Sequence, residues 1–195
     1  MKETEVKLLE VDRPALETKL VALGAKRILD ADMTALFYQS GPDSPVRLNA
    51  VLRLREEGPK TFLTLKGPIA QGAAKVRDEY EVEVSNSDAT KLILRELGLI
   101  PTSKVRKHRV AYELKSVRFA FDRYMDDLSF IPEFLEIEGP DVMTIYAYVL
   151  KLGLSIDDCR PWAMVDLINH YRSRANEFSS PLEERIKVRS DGGEA

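Results

Sequence analysis

Cysteine occurs once in this chain, at Cys159, so no intrachain disulfide is available. Histidine is nearly as scarce, with only His108 and His170, and neither stands at metal-ligand spacing from the cysteine. No Ser-His-Asp or Cys-His arrangement emerges for nucleophilic catalysis. No apolar run approaches the length of a membrane span. The N-terminus opens on charged residues, without the apolar core of a signal peptide. Net charge is also nearly absent: 29 Lys and Arg stand against 32 Asp and Glu, leaving −3. That balance excludes a globally basic nucleic-acid binder. These absences together predict a soluble cytoplasmic protein in a reducing compartment, with no membrane or nucleic-acid partner.

What is present is enough for one well-cored domain: 195 residues, 44% of them hydrophobic. The charged fraction is high, at 31%. With the signs cancelled, the information lies in how the charges are arranged.

Three segments share one local plan. Each has a strand carrying Glu-x-Glu, then an Asp, then an apolar-periodic stretch ending in Leu-Gly. The first runs from Glu3 through Asp12 to Gly24, the second from Glu81 through Asp88 to Gly98, and the third from Glu136 through Asp141 to Gly153. Asp12 is placed to cap a helix with Pro14 in its first turn, and Ser87 or Asp88 to cap the second. Leu16, Leu20 and Leu23 fall on one helical face, as do Leu92, Ile93 and Leu97. Glycine after the last turn suits the left-handed position that ends a helix.

Between these units the sequence predicts strands over Val51–Arg55, Thr61–Lys66, Lys75–Val84, Val105–Leu114, Val117–Arg123 and Phe134–Glu138. Turns at Gly58-Pro59 and Gly67-Pro68 make hairpins of the first group, hence an antiparallel α+β architecture. Gly41–Pro45 and Gly67–Ala74 read as mobile loops. Pro161–Arg174 reads as an amphipathic helix with Trp162, Val165, Ile168 and Tyr171 available to pack. From about Asn176 the chain turns polar and reads as a flexible tail, so the expected division is a domain over 1–175 and a tail over 176–195.

Alternate residues share a strand face. Glu3, Glu5 and Lys7 therefore lie together, as do Arg53 and Arg55, Thr64 and Lys66, and Arg77, Glu79, Glu81 and Glu83. Lys107, Arg109 and Glu113 share a face, Asp122 lies with Arg118 and Ala120, and Glu136 lies with Glu138. The opposite faces carry Val6 and Leu8, Leu52 and Leu54, Val110 and Tyr112, Phe119 and Phe121, and Leu135 and Ile137. An open sheet with one wet face also alternates. Here the polar faces hold full charges more than Ser, Thr, Asn or Gln. Closing the sheet would gather those charges inside and leave the apolar faces to be covered by the three Leu-Gly helices. A tunnel interior of both signs is costly unless the charges are paired or solvated. A polyanion carrying a hard divalent cation would satisfy both sets.

Glu3-x-Glu5-x-Lys7 resembles the opening signature of the CYTH superfamily, the triphosphate tunnel metalloenzymes. In order, it is joined by Leu52-Arg53-Leu54-Arg55, Thr64-Leu65-Lys66-Gly67, Arg77-x-Glu79-x-Glu81, Lys107-x-Arg109, Asp122 and Phe134-Leu135-Glu136-Ile137-Glu138. The resemblance covers about residues 1 to 175. It implies a closed eight-stranded antiparallel β-barrel flanked by helices. It implies that Glu3, Glu5, Glu136 and Glu138 hold Mg2+ or Mn2+ with help from Asp122. Lys7, Arg53, Arg55, Lys66, Lys107 and Arg109 would hold the triphosphate, with Arg77, Glu79 and Glu81 lining the wall. Glu3, Glu5, Lys7, Glu136 and Glu138 form the implied catalytic set. Two stretches depart from the family pattern. Asp30–Tyr38 meets the usual aspartate-aromatic stretch only loosely, and Pro161-Trp162 replaces an expected Ser-Tyr pair.

The implied chemistry is phosphoryl transfer, which needs positioning and charge neutralisation more than a protein nucleophile. Hydrolysis of the terminal phosphate of inorganic, thiamine or nucleoside triphosphate is the leading expectation. A class IV-like adenylate cyclase, making cyclic AMP and pyrophosphate from ATP, is the alternative. A non-catalytic polyphosphate- or nucleotide-binding module is the third reading, disfavoured by the carboxylates. His108 falls on the apolar side of its strand, His170 reads as a surface or cap residue, and Cys159 as a small structural one. Uncovered strand faces leave a monomer or a homodimer open.

Overall fold

The computed structural model describes residues 2–174 apart from 47, 49 and 71. The expected tail over 176–195 lies outside the described residues. The chain divides into two compact units, Met1–Pro161 and Trp162–Ala195. In the second, a helix covers residues 164–174, starting three residues later than the sequence pattern predicts. Its start is fixed by Asp166, whose carboxylate accepts from the Ala163 N–H at 2.7 Å.

The first unit is the barrel. Its strands are β1 (Lys2–Leu9), β2 (Lys26–Ser40), β3 (Val51–Glu57), β4 (Lys60–Lys66), β5 (Lys75–Val84), β6 (Leu99–Leu114), β7 (Val117–Tyr124) and β8 (Phe134–Gly139). They close in the order β1-β5-β4-β3-β2-β6-β7-β8, and every pairing is antiparallel. The expected closed eight-stranded α+β barrel is therefore the observed fold. β1 is the keystone, paired to β5 over Lys2–Glu5 and to β8 over Thr4–Leu9. Beyond β5, Lys7 exchanges two backbone hydrogen bonds of 2.8 Å with Arg160.

Three helices cover the outside: α1 (Arg13–Ala22), α2 (Ser87–Glu96) and α3 (Val142–Lys151). Asp12 and Asp141 cap α1 and α3, as the sequence pattern predicts for the first. The second helix corrects the sequence reading: its cap is Asn86, whose side chain accepts from Ala89 N–H, because Ser87 and Asp88 already lie inside the helix. Each helix ends at a glycine with positive φ, and at Gly98 a side chain would also strike the Ser44 backbone at 2.8 Å.

Leu16, Leu20, Ile145, Tyr148, Val149 and Leu152 pack onto Val6, Leu8, Val110, Phe119, Phe121, Leu135 and Ile137, the outer faces of β1, β6, β7 and β8. Leu94 of α2 seals a smaller cluster with Tyr38, Leu52, Leu54 and Leu99. Leu92, Ile93 and Leu97, expected to be the packing face of α2, are instead exposed. The helix meets the barrel through Leu94, and its remaining apolar residues point away. The Gly41–Pro45 loop is also better tied than its composition suggests. Gly41 N–H donates to Gly98 O at 2.8 Å, and the Ser44 hydroxyl donates to Leu97 O at 2.7 Å.

β2 was not legible as a strand, and its polarity explains why. Cross-strand partners share a face, so Ala31, Met33, Ala35 and Phe37 point inward beside Arg109, Glu57, Arg55 and Arg53. Asp30 and Asp32 point outward, where both bond His108. The strand inverts the charged-inside rule of its neighbours.

Candidate active site

The interior is a lattice of opposite charges built by strand register. Glu3 lies opposite Arg77, Glu5 between Lys75 and Glu138, and Lys7 opposite Glu136. Register becomes contact in most of these pairs. Lys7 Nζ reaches Glu5 and Glu136, both at 2.8 Å. Lys66 Nζ donates to Glu3 at 2.8 Å and to Glu79 at 2.6 Å, while Arg77 Nε reaches Glu3 at 2.9 Å. Lys75 pairs closely with Glu5.

On the far side of β8 from β1, Asp122 of β7 is almost fully buried and receives Lys107 at 2.7 Å and Arg109 Nε at 2.6 Å. A second nitrogen of Arg109 reaches Glu136 at 2.9 Å. Glu136 thus links Lys7 of β1 to Arg109 of β6. Burial works against its charge, but Lys7 and Arg109 hold its carboxyl well below the ordinary range. Burial likewise opposes the charge of Asp122, and Arg109 and Lys107 keep it ionised.

Two places in this lattice are not balanced. The first is cationic. Arg53 and Arg55 stand two residues apart on β3, and the Nε of each is buried without a hydrogen-bond partner. Arg55 also lies over the Phe62 ring at 5.0 Å. Burial lowers the pKa of Arg53, and the neighbouring charge of Arg55 lowers it further. Burial also lowers Lys107, with Arg109 beside it adding to the effect, to about 8. An anion placed among these groups would relieve their crowding and accept the orphaned N–H groups.

The second place is anionic. Glu138 faces the carboxylates of Glu136, Glu3 and Glu5. Burial first, and then those neighbours, push it up to about 7. Glu3, by contrast, is held at about 2: burial raises it, and Lys66 more than offsets that. The donor set of Glu3, Glu5, Glu136 and Glu138 is all carboxylate oxygen, which fits a hard divalent cation. Among the described residues no three such side chains converge as a finished cage. Lys7, Lys66 and Lys75 draw the carboxylates toward themselves instead.

Every site residue expected from the sequence faces the interior. Glu79 and Glu81, the wall residues, bond Lys66 and Arg55 respectively, and Glu81 also accepts from Thr64 at 2.8 Å. Lys75 was missed. Its parity with Arg77 was a usable signal, but it opens its strand directly after a loop.

A closed barrel with this lining defines the triphosphate tunnel fold. The chain belongs to the CYTH domain family, whose model matches residues 1–142. It is 29% identical over 139 residues to a Methanocaldococcus jannaschii protein named as a proposed adenylate cyclase, covering 71% of this chain and 77% of the relative. The PH1012 protein of Pyrococcus horikoshii superposes with a TM-score of 0.68 at 24% identity, covering 85% of this chain and 98% of that one. HpAC1 of Hippeastrum, described as a proposed adenylyl cyclase with a dominant triphosphatase activity, gives 0.59 at 13% identity, covering 88% and 95%.

Proposed function

We propose that this protein hydrolyses the terminal phosphate of a triphosphate compound with the help of Mg2+ or Mn2+. The observation that carries the reading is the separation of unbalanced charge in the lumen. Arg53 and Arg55, each with a buried Nε that has no hydrogen-bond partner, lie in one place, and Glu138 lies among like charges in another. Arg53, Arg55, Lys107 and Arg109 would hold the phosphate chain. Glu3, Glu5, Glu136 and Glu138 would hold the cation, with Asp122 orienting Arg109 and Lys107. The bound cation would supply charge neutralisation for the phosphoryl group and the leaving pyrophosphate. Lys7 keeps Glu5 and Glu136 in place through its ion pairs to both. Glu5, Lys7, Arg55, Arg109 and Asp122 are buried, which strengthens the interactions they make.

The name of the Methanocaldococcus relative favours a second reading, in which the same residues hold ATP for cyclisation. Incubation with ATP, thiamine triphosphate and tripolyphosphate, each with Mg2+ or Mn2+, separates the two. Orthophosphate release supports hydrolysis, and cyclic AMP with pyrophosphate supports cyclisation. Binding without turnover of any of the three would sink both.

A further inference from the structure

One oxygen of Glu5 holds two ammonium groups. Lys7 Nζ reaches Oε1 at 2.8 Å, and Lys75 Nζ meets the same atom. The two lysines are not equivalent. Lys7 also pairs with Glu136, just as Lys66 joins Glu3 to Glu79. Each of these keeps a second carboxylate if it gives up the first. Among the described residues, Lys75 pairs with Glu5 alone. The fold fixes it there. Lys75 is the register partner of Glu5 where β1 meets β5, and it is 5% exposed. The chain before it is pinned: Ala74 is buried in the larger apolar cluster, and the Tyr146 hydroxyl donates to Ala73 O at 3.4 Å. Just after it, Val76 O accepts from Ala70 N–H at 2.8 Å. On its other side Glu5 lies opposite Glu138 of β8, so Lys75 closes one edge of the carboxylate set assigned to the cation.

We propose that Lys75 is a positioning residue: it holds the Glu5 carboxylate while no cation is bound and yields it when one binds. The proposal rests on the metal-dependent reading above and adds a residue to it. A buried carboxylate without a counter-charge is costly, and Lys75 removes that cost at Glu5. An ammonium and a divalent cation on one carboxylate oxygen repel each other strongly in a buried place. Lys7 can stay, because Glu136 still holds it. Lys75 has no second carboxylate and is the group that leaves. Its contact with Glu5 therefore competes with the cation, and the apparent cation affinity is lowered by the fraction of molecules in which Lys75 is seated.

The test is calorimetric titration of Mn2+ into the substrate-free protein, native and as Lys75→Met, Lys75→Arg and Lys60→Met. Lys75→Met keeps the long apolar stem, and Glu5 retains Lys7 as its counter-charge. It should bind Mn2+ about tenfold more tightly than the native protein, because a like charge beside the ion is gone. Lys75→Arg restores that charge and should return the affinity to within about threefold of native. Lys60 is exposed and paired with Glu83, so Lys60→Met reports net charge alone and should stay within about twofold. Thermal unfolding gives a second reading: Mn2+ should raise Tm more in Lys75→Met than in the native protein. Unchanged or weaker Mn2+ binding by Lys75→Met, with native binding intact, makes Lys75 an ordinary wall residue and overturns the inference alone. A gain shared by Lys60→Met or Lys75→Arg also overturns it. Failure of both the native protein and Lys75→Met to bind Mn2+ overturns it together with the metal reading.

Discussion

Arg109 and Asp122 face each other across β6 and β7 and join at two points, Nε to Oδ1 and a second nitrogen to Oδ2. Asp122 also takes Lys107, so one buried carboxylate restrains two of the cations assigned to the phosphate chain. The pairing fixes the guanidinium plane before any ligand arrives, which lowers the ordering cost of binding.

Asp122→Asn removes that restraint and leaves two buried cations facing a neutral amide. Breaking one side of a buried ion pair costs about 3–5 kcal/mol. Glu136 still holds Arg109, so the loss should fall near the low end. Urea unfolding measures it, and a loss below about 1 kcal/mol would contradict the structural role. Added tripolyphosphate should recover part of the stability, since it binds the folded state alone.

Arg55→Ala removes a guanidinium that faces the lumen, with Glu81 and Glu57 as its only bridges among the described residues. A charged hydrogen bond of this kind contributes roughly 1.5–3 kcal/mol, so triphosphate affinity should drop about tenfold or more. A monophosphate, which cannot span the cations, should lose far less. Equal losses for the two ligands would argue against a role along the phosphate chain.

Glu138 supplies a pH signature. Its folded value near 7 lies above the ordinary 4.5. The folded protein keeps this proton where the unfolded chain has released it. The resulting stability is full below pH 4.5 and is lost as pH rises through 7, a change of about 3 kcal/mol at most. Glu138→Gln should flatten that part of the stability profile. Mn2+ affinity should tighten between pH 6 and 8 in the native protein, because binding displaces the proton, and stay level in the variant. An unchanged slope in Glu138→Gln would remove Glu138 from the metal set.

The strands that were legible are those whose inner faces carry charge. β1, β3, β5 and β8 announce themselves because Glu, Lys or Arg recur every second residue against Val, Leu, Ile and Phe, while β4 and β7 show sparser charge, Lys66 and Asp122, set against apolar runs. β2 did not, because Ala31, Met33, Ala35 and Phe37 take the inner positions and Asp30 and Asp32 the outer ones. β6 was read from Val105, yet it begins at Leu99, since its first residues gain their strand character from pairing with β2. The position of His108 on the outer face followed from parity alone. Its bonds to Asp30 and Asp32 needed the unseen strand. The lysines that hold the carboxylates were visible as residues, but which carboxylate each holds depends on strand order, and periodicity carries no record of that.

The seam between β1 and β8 also governs how the molecule comes together. Lys2–Leu9 has no complete partner set until Phe134–Gly139 is in place, more than a hundred residues later. Pairings this distant in the chain must overcome a large loop-closure entropy before they are rewarded, so joining β1 to β8 is slow compared with hairpin formation. Until then β1 and β8 are open edges able to recruit foreign strands. The residues that finish the cylinder are also those that carry Glu5, Lys7, Glu136 and Glu138, so a chain that fails to close is a chain without its reaction chamber.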